Sequence, residues 1–180
     1  MTTVIPNEKR LYNQSNAAYK KQYTKFLFTS RFNNNTWNEN QRYVKSQKNM
    51  GCIYCSPSPI CKDIAVDSIL FILEMNNETN KIMGIGMVRN HPNIQCYSVY
   101  SNPNYNRFSY KGRYRISREE MTEEENQIIT VFDILCFTGK YHMKRGQGLT
   151  MFPVEILRRC KKTLDLVEYI SQMFKSRMEK

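Results

Sequence analysis

Apolar positions along the chain fall into short runs separated by polar, Asn-rich stretches. Phe26-Leu27-Phe28-Thr29-Ser30 predicts a first buried strand. Asn38 to Ser46 predicts a short helix, with an Asn or Thr36 capping its start. Met50 to Ser56 predicts a second strand, which Pro57, Ser58 and Pro59 turn into a loop. Ser68 to Met75 (SILFILEM) is the strongest strand signal in the chain. A polar turn, Asn76 to Asn80, joins it to Lys81–Val88, so a hairpin is expected. Gly84 and Gly86 share one face of the returning strand, and Gly in a strand marks a bulge or a close approach.

Beyond the hairpin, residues 89–109 predict a long loop carrying Tyr97, Tyr100, Tyr105 and Phe108. Tyr110 to Ser117 alternates basic and aromatic residues, as a half-exposed strand does. The acidic stretch 118–127 predicts a short helix or loop. Ile128 to Phe137 (IITVFDILCF) predicts another buried strand, and residues 138–148 form a basic loop. Pro153 opens a final helix running to about Met178, with Leu157, Cys160, Leu164, Val167, Ile170 and Phe174 as its buried stripe. Residues 1–24 are polar and predict an N-terminal arm, mobile at first, then helical or extended around Asn16–Tyr23. The remainder, 25–180, reads as one domain, an α+β or barrel-like fold.

Composition narrows the function classes. Lys and Arg number 27 against 16 Asp and Glu, a net charge of +11 that favours a polyanionic partner, most simply nucleic acid. No basic start with an apolar core marks a signal peptide, and no apolar run reaches membrane-spanning length. The six cysteines then read as reduced thiols in a cytoplasmic or nuclear compartment.

The candidate chemistry is uneven. Cys52, Cys55 and Cys61 give C-x2-C-x5-C, with Cys96, His91 and His142 elsewhere; the second close pair that zinc wants is missing, so no metal is expected. No nucleophile elbow, P-loop, paired-carboxylate signature or metalloprotease motif occurs, so no enzyme is expected. Glu74 on a buried strand could serve as a base, but a lone buried carboxylate is more often paired structurally. No cofactor is implied. Base recognition suits the residues better. Trp37, Tyr54 and the tyrosines of 97–110 can stack on a base. Asn34, Asn35, Asn38 and Asn40 can pair with base edges, and Lys111, Arg113, Arg115, Lys144 and Arg145 can hold phosphate.

Five segments in order resemble the YTH domain, a PUA-like fold that reads N6-methyladenosine in RNA. They are FLFTSRFNNNTWNEN, GCIYCSPSP, SILFILEMNNETNKIMGIGMVRN, YKGRYRIS and KRGQGLTMFPVEILRRC, which together span roughly residues 26–170. The resemblance implies a curved, barrel-type sheet with flanking helices and a long C-terminal helix. It implies that Tyr54 is a cage wall where the family usually has Trp. It places the backbone of Cys55 and Ser56 at the adenine edge, and Asn40 with an Asn among 33–35 on the base. The second wall would come from Tyr97, Tyr100 or Tyr105, because the Trp that the family carries in this loop is absent. Arg145 would meet phosphate. The chain's one Trp, Trp37, lies in the neighbouring segment, which could shift the ligand to another modified nucleotide. The expected function is non-enzymatic RNA binding at a modified nucleotide. The alternatives are a binder of the methylated mRNA 5′ cap in translation control, or a nucleic-acid-processing enzyme using Glu74, Asp133 or His142.

Overall fold

The expected hairpin lies inside a mixed sheet. In the computed structural model, which describes residues 6–94 and 97–179, helix α1 (Pro6–Gln22) precedes strand β1 (Lys25–Phe32) and helix α2 (Asn34–Ser46). Strands β2 (Cys52–Ser56), β3 (Ile69–Asn76), β4 (Lys81–Arg89), β5 (Phe108–Gly112) and β6 (Tyr114–Ser117) follow. Helix α3 (Glu123–Phe137), strand β7 (Leu149–Met151), helix α4 (Val154–Cys160) and helix α5 (Leu166–Met178) complete the order. The first five residues of the expected N-terminal arm lie outside the described residues.

The architecture is α+β. Five strands form an open sheet in the order β6-β4-β3-β1-β7, and β2 pairs with β5 in a separate ribbon. The expected barrel-type sheet is therefore not a closed barrel. At its centre β1 runs parallel to β3, with Phe28 opposite Ile72, and both strands are covered on both faces. That double burial is why their sequences are nearly continuous apolar runs rather than alternating ones. Phe174 of α5 stacks on Phe71 at 5.5 Å, and Phe132 of α3 meets Phe152 edge-on at 5.6 Å.

Four elements differ from expectation. The N-terminal arm, expected to become helical or extended only around Asn16–Tyr23, is already helical from Pro6 as α1. The 128–137 run is the body of α3, not a strand. Thr122 caps it, accepting from the Glu125 backbone N–H while the Glu125 carboxylate accepts from the Thr122 N–H, a capping box that commits the segment to helix. Its buried side chains, Ile129, Phe132 and Cys136, then recur at helical spacing. The single long C-terminal helix is two, because the chain turns at 161–164 and Asp165 caps a new start at the Glu168 N–H. The expected strand 110–117 is also divided, with β5 in the ribbon and β6 on the sheet edge.

Ribbon and sheet are joined by a buried polar cluster. Glu74 of β3 is 1% exposed. Tyr54 of β2 donates its hydroxyl to Glu74 Oε1 at 2.6 Å, and Arg115 of β6 grips both carboxylate oxygens, with Nη2 at 2.7 Å from Oε2. The Arg115 guanidinium lies 5.4 Å from the Trp37 ring centre, and Trp37 packs edge-on against Phe32 at 5.2 Å. Gly84 and Gly86 make room for this cluster. A Cβ at Gly86 would lie 1.9 Å from the Tyr54 hydroxyl, and one at Gly84 would lie 2.8 Å from Glu74 Oε2. The close approach that the two glycines signal is thus made by the protein's own side chains. Burial and the neighbouring Glu74 carboxylate push the Tyr54 hydroxyl well above the ordinary tyrosine range, so it remains a donor at every physiological pH.

This geometry predicts strong coupling. Gly86→Ala should destabilise the fold by about 1–3 kcal/mol, the usual cost of overpacking. Tyr54→Phe should cost a comparable amount by leaving a buried carboxylate oxygen short of a donor. In denaturant melts the double variant should be less destabilised than the sum of the two by about 1 kcal/mol or more, since Tyr54→Phe also removes the atom that clashes; simple additivity would contradict the packing.

Helices α3 and α5 are clamped by charge. Arg177 of α5 donates to both oxygens of Glu125 at the start of α3, at 2.7 and 2.8 Å. These bonds hold the Glu125 carboxyl below the usual carboxylate range. A depressed acid contributes stability above its unfolded pKa and loses it as pH falls through the folded value. Unfolding free energy measured against pH should therefore fall below about pH 4.3. Glu125→Gln should be less stable at neutral pH by about 1 kcal/mol or more and should show a shallower acid slope. An unchanged slope would remove Glu125 from the acid response.

Candidate functional site

The carboxyl ends of the parallel strands β1 and β3 open into a cavity. Strand ends of this kind are a common ligand position in sheets with parallel neighbours. Arg31, Phe32, Asn33 and Thr36 line it from β1 and α2, and Asn77 from the end of β3. Tyr100, Ser101, Asn102 and Tyr105 close it from the long loop, and Gly146 and Gly148 from the basic loop. Its volume of about 340 Å³ lies within the range of small-molecule sites.

Each wall has a local cause. Asn33 caps α2, accepting from the Thr36 N–H at 2.8 Å, so its carbonyl oxygen is committed to the helix. The Asn77 N–H donates to the Phe32 carbonyl at 2.8 Å and ties the two strand ends together. Gly146 and Gly148 have φ of 117° and 64°, the left-handed region that favours glycine. A Cβ at Gly148 would stand 2.1 Å from Ser56 Oγ, so that loop also needs glycine to lie against β2.

Among the described residues, two polar features have no complement. Arg31 donates to the Met143 carbonyl and, through Nη1 at 3.1 Å, to Thr150 Oγ1, yet it makes no ion pair among the described residues. Burial lowers its pKa, the response of a cation partly withdrawn from water. Asn77 donates from Nδ2 to the Lys144 carbonyl at 3.1 Å, while its buried Oδ1 has no hydrogen-bond partner among the described residues. Buried polar atoms are normally satisfied, so Asn77 Oδ1 is an unanswered acceptor sealed beneath the cavity wall, and Arg31 is an uncompensated positive charge beside it in the lining.

The expected site residues divide. Tyr100 and Tyr105 reach the cavity, with ring centres 6.5 Å apart and edge-on. Tyr97 lies instead beside Tyr43 and Lys111, with its hydroxyl 3.3 Å from Lys111 Nζ. Tyr54 is fully buried against Glu74, so it presents no open face as a cage wall. Trp37 is half-buried behind Phe32 and under Arg115. Asn40 is buried and structural. It donates to the Ile53 carbonyl at 2.7 Å and to the Tyr100 hydroxyl at 3.1 Å, pinning β2 and the long loop to α2. Asn34 accepts from Asn76 Nδ2 at 3.0 Å, and Asn35 is exposed. Cys55 and Ser56 are buried in the ribbon, and burial raises the Cys55 thiol to about 12.

Of the expected phosphate contacts, Lys111, Arg113 and Arg145 are exposed. Lys144 is half-buried, with Nζ on Asn80 Oδ1 at 2.8 Å, and Arg115 is committed to Glu74. Arg31, Phe32 and Asn77 belong to the cavity and were not expected there. Their signals are a lone Arg at the end of an apolar strand and an Asn directly after one.

The other candidate chemistry is dispersed. Asp133 accepts from the Ile82 N–H at 2.7 Å and from Arg118, and His142 Nδ1 accepts from the Lys144 N–H at 3.4 Å. Neither reaches Glu74 through these bonds. No group of three or more His, Cys, Asp or Glu gathers among the described residues, which do not include Cys96. No described helix is long and apolar enough to cross a membrane. No family model matches the chain, and no curated protein or solved structure matches it.

Proposed function

We propose that the cavity at the ends of β1 and β3 binds a flipped-out base of single-stranded RNA, a modified adenine such as N6-methyladenosine, without catalysing its conversion. The observation that carries this reading is the pairing of Asn77 Oδ1, an unanswered acceptor, with an uncompensated Arg31 in an aromatic-edged cavity. The exocyclic nitrogen of N6-methyladenosine keeps one N–H, which suits a lone carbonyl acceptor once the sealed Asn77 amide turns toward the ligand. Its methyl group adds apolar surface for Tyr105 and Phe32. Arg31 provides a donor for a ring nitrogen or a phosphate oxygen. The net charge of +11 and the exposed Arg145 on the cavity-side loop suit a polyanion. The ordered resemblance of five segments to the YTH domain agrees with this ligand and with a PUA-like relation for the fold, although the aromatic contribution shifts from Tyr54 to Phe32, Tyr100 and Tyr105.

The methylated cap is less well served. Its guanine ring carries positive charge, which Arg31 opposes, and Glu39, the cavity's carboxylate, already accepts from the Ser101 N–H at 3.1 Å.

Matched single-stranded RNA oligomers with and without N6-methyladenosine, titrated at one salt concentration, test the reading. The methylated oligomer should bind at least several-fold tighter, in line with about 0.8 kcal/mol for one buried methyl. Tyr105→Ala should weaken it by about 1–3 kcal/mol. Tyr12→Ala, on the exposed side of α1, should not. Equal affinity for the two oligomers would sink methyl reading, and tighter binding of a cap analogue would favour the second ligand.

A further inference from the structure

A second open groove adjoins the cavity. It runs between α2 and the long loop, with Glu39, Tyr100 and Ser101 shared by both. Arg42, Tyr43 and Ser46 continue it along α2. Tyr43 meets Tyr97 edge-on at 6.3 Å, and Lys111 Nζ lies 5.5 Å from the Tyr97 ring centre. Lys111 then forms, with Lys48 and Arg113, the cationic lining of a further cleft that contains no acidic residue. Cavity, aromatic pair and cationic cleft thus follow one another along a single flank of the molecule.

Charge pairing separates this flank from the C-terminal helices. Arg158, Arg159, Lys161, Lys175 and Arg177, on α4, α5 and the turn between them, each meet a carboxylate, with Lys162 the exception among the described residues there. Arg42, Lys48, Lys111 and Arg113 make no ion pair among the described residues and are exposed. Cations left unpaired beside half-buried aromatic rings suit a single-strand track, in which bases stack and phosphates displace counterions.

We propose that this flank is a single-stranded RNA track that leaves the cavity in one direction only. The nucleotide beside the flipped base stacks at Tyr43 and Tyr97, and the following phosphates sit at Lys48, Lys111 and Arg113. The proposal rests on the cavity holding a base and adds a direction, a stacking platform and a phosphate site to it. A ligand that occupies the track must be unpaired on that side, because a second strand would compete for the stacked faces.

The test compares N6-methyladenosine nucleoside with oligomers extended by four nucleotides on the 5′ side only or on the 3′ side only, across a salt series. One extension, and not the other, should raise affinity about tenfold or more at low salt. In Lys48→Gln/Lys111→Gln/Arg113→Gln that gain should collapse, and the slope of log K against log salt should fall by about 2, from three phosphates at about 0.7 each. Tyr43→Ala should reduce the gain while leaving the slope in place. Equal gains from both extensions, or a slope unchanged in the triple variant, would overturn the track. Tyr105→Ala separates the two ideas: if it alters neither nucleoside nor oligomer binding while the triple variant still abolishes the gain, the cavity reading fails and the cationic surface stands. Absence of binding by nucleoside and oligomers alike would overturn both.

Discussion

A carboxylate in the middle of a sheet is the constraint from which the rest follows. Glu74 occupies a central strand at 1% exposure, where an unpaired charge would be intolerable. Its neutralisation recruits Arg115 from the sheet edge and Tyr54 from the ribbon. Both partners need a short path to Glu74, and a side chain at Gly84 or Gly86 would stand in it. The register of β3 against β4 shifts between Leu73 and Met75, around Glu74 itself, so the ladder yields locally to seat the carboxylate. A well-packed apolar trio could give equal stability. What the ion cluster adds is position: it selects one placement of the ribbon on the sheet, since a slip of one residue would turn Tyr54 away.

That placement shapes the cavity. With β2 held by Tyr54, its far end at Ser56 receives Gly148 of the basic loop. Asn40, bonded to the Ile53 carbonyl and the Tyr100 hydroxyl, transmits the same placement to the long loop. Both loops that close the cavity are therefore referenced to β2, and through it to Glu74. Tyr54, Asn40 and Ser56 influence a ligand by fixing walls they do not themselves form.

The sequence carried the elements whose cause is local. The SILFILEM run and its polar turn specify the hairpin, and Gly84 and Gly86 announce a close approach, because both signals depend on neighbours along the chain. Helix α3 was legible too, but in Thr122 and Glu125 rather than in the β-branched run that follows; reading the run without its cap suggests a strand. Asp165-Leu-Val-Glu168 marked the restart of α5 in the same way. The site was harder to read. Strand alternation tells that Tyr54 and Cys55 face opposite ways, but both faces of β2 are buried, and the turning of Tyr54 into the sheet depends on Glu74 and Arg115, 20 and 61 positions further on. Loop tyrosines at 97, 100 and 105 are equivalent by composition. Their separation into a track residue and two cavity residues depends on how Asn106 and Asn40 anchor the loop at Tyr100.

Arg31 ties ligand and loop together. It is the end of an apolar strand, half-withdrawn from water, and its bonds go to the Met143 carbonyl and Thr150 rather than to a carboxylate. Such a charge is tolerable because carbonyl and hydroxyl dipoles share its field, but they do not neutralise it. A phosphate oxyanion arriving in the cavity would do so in a low-dielectric setting, where the interaction is stronger than in water, whereas a neutral base edge would add one more dipole. The same guanidinium, with Asn77 on the Lys144 carbonyl, also holds the loop that bears Gly146 and Gly148. A ligand on Arg31 would consequently act on the loop that encloses it, and ordering of that loop and capture of the ligand would draw on one set of contacts.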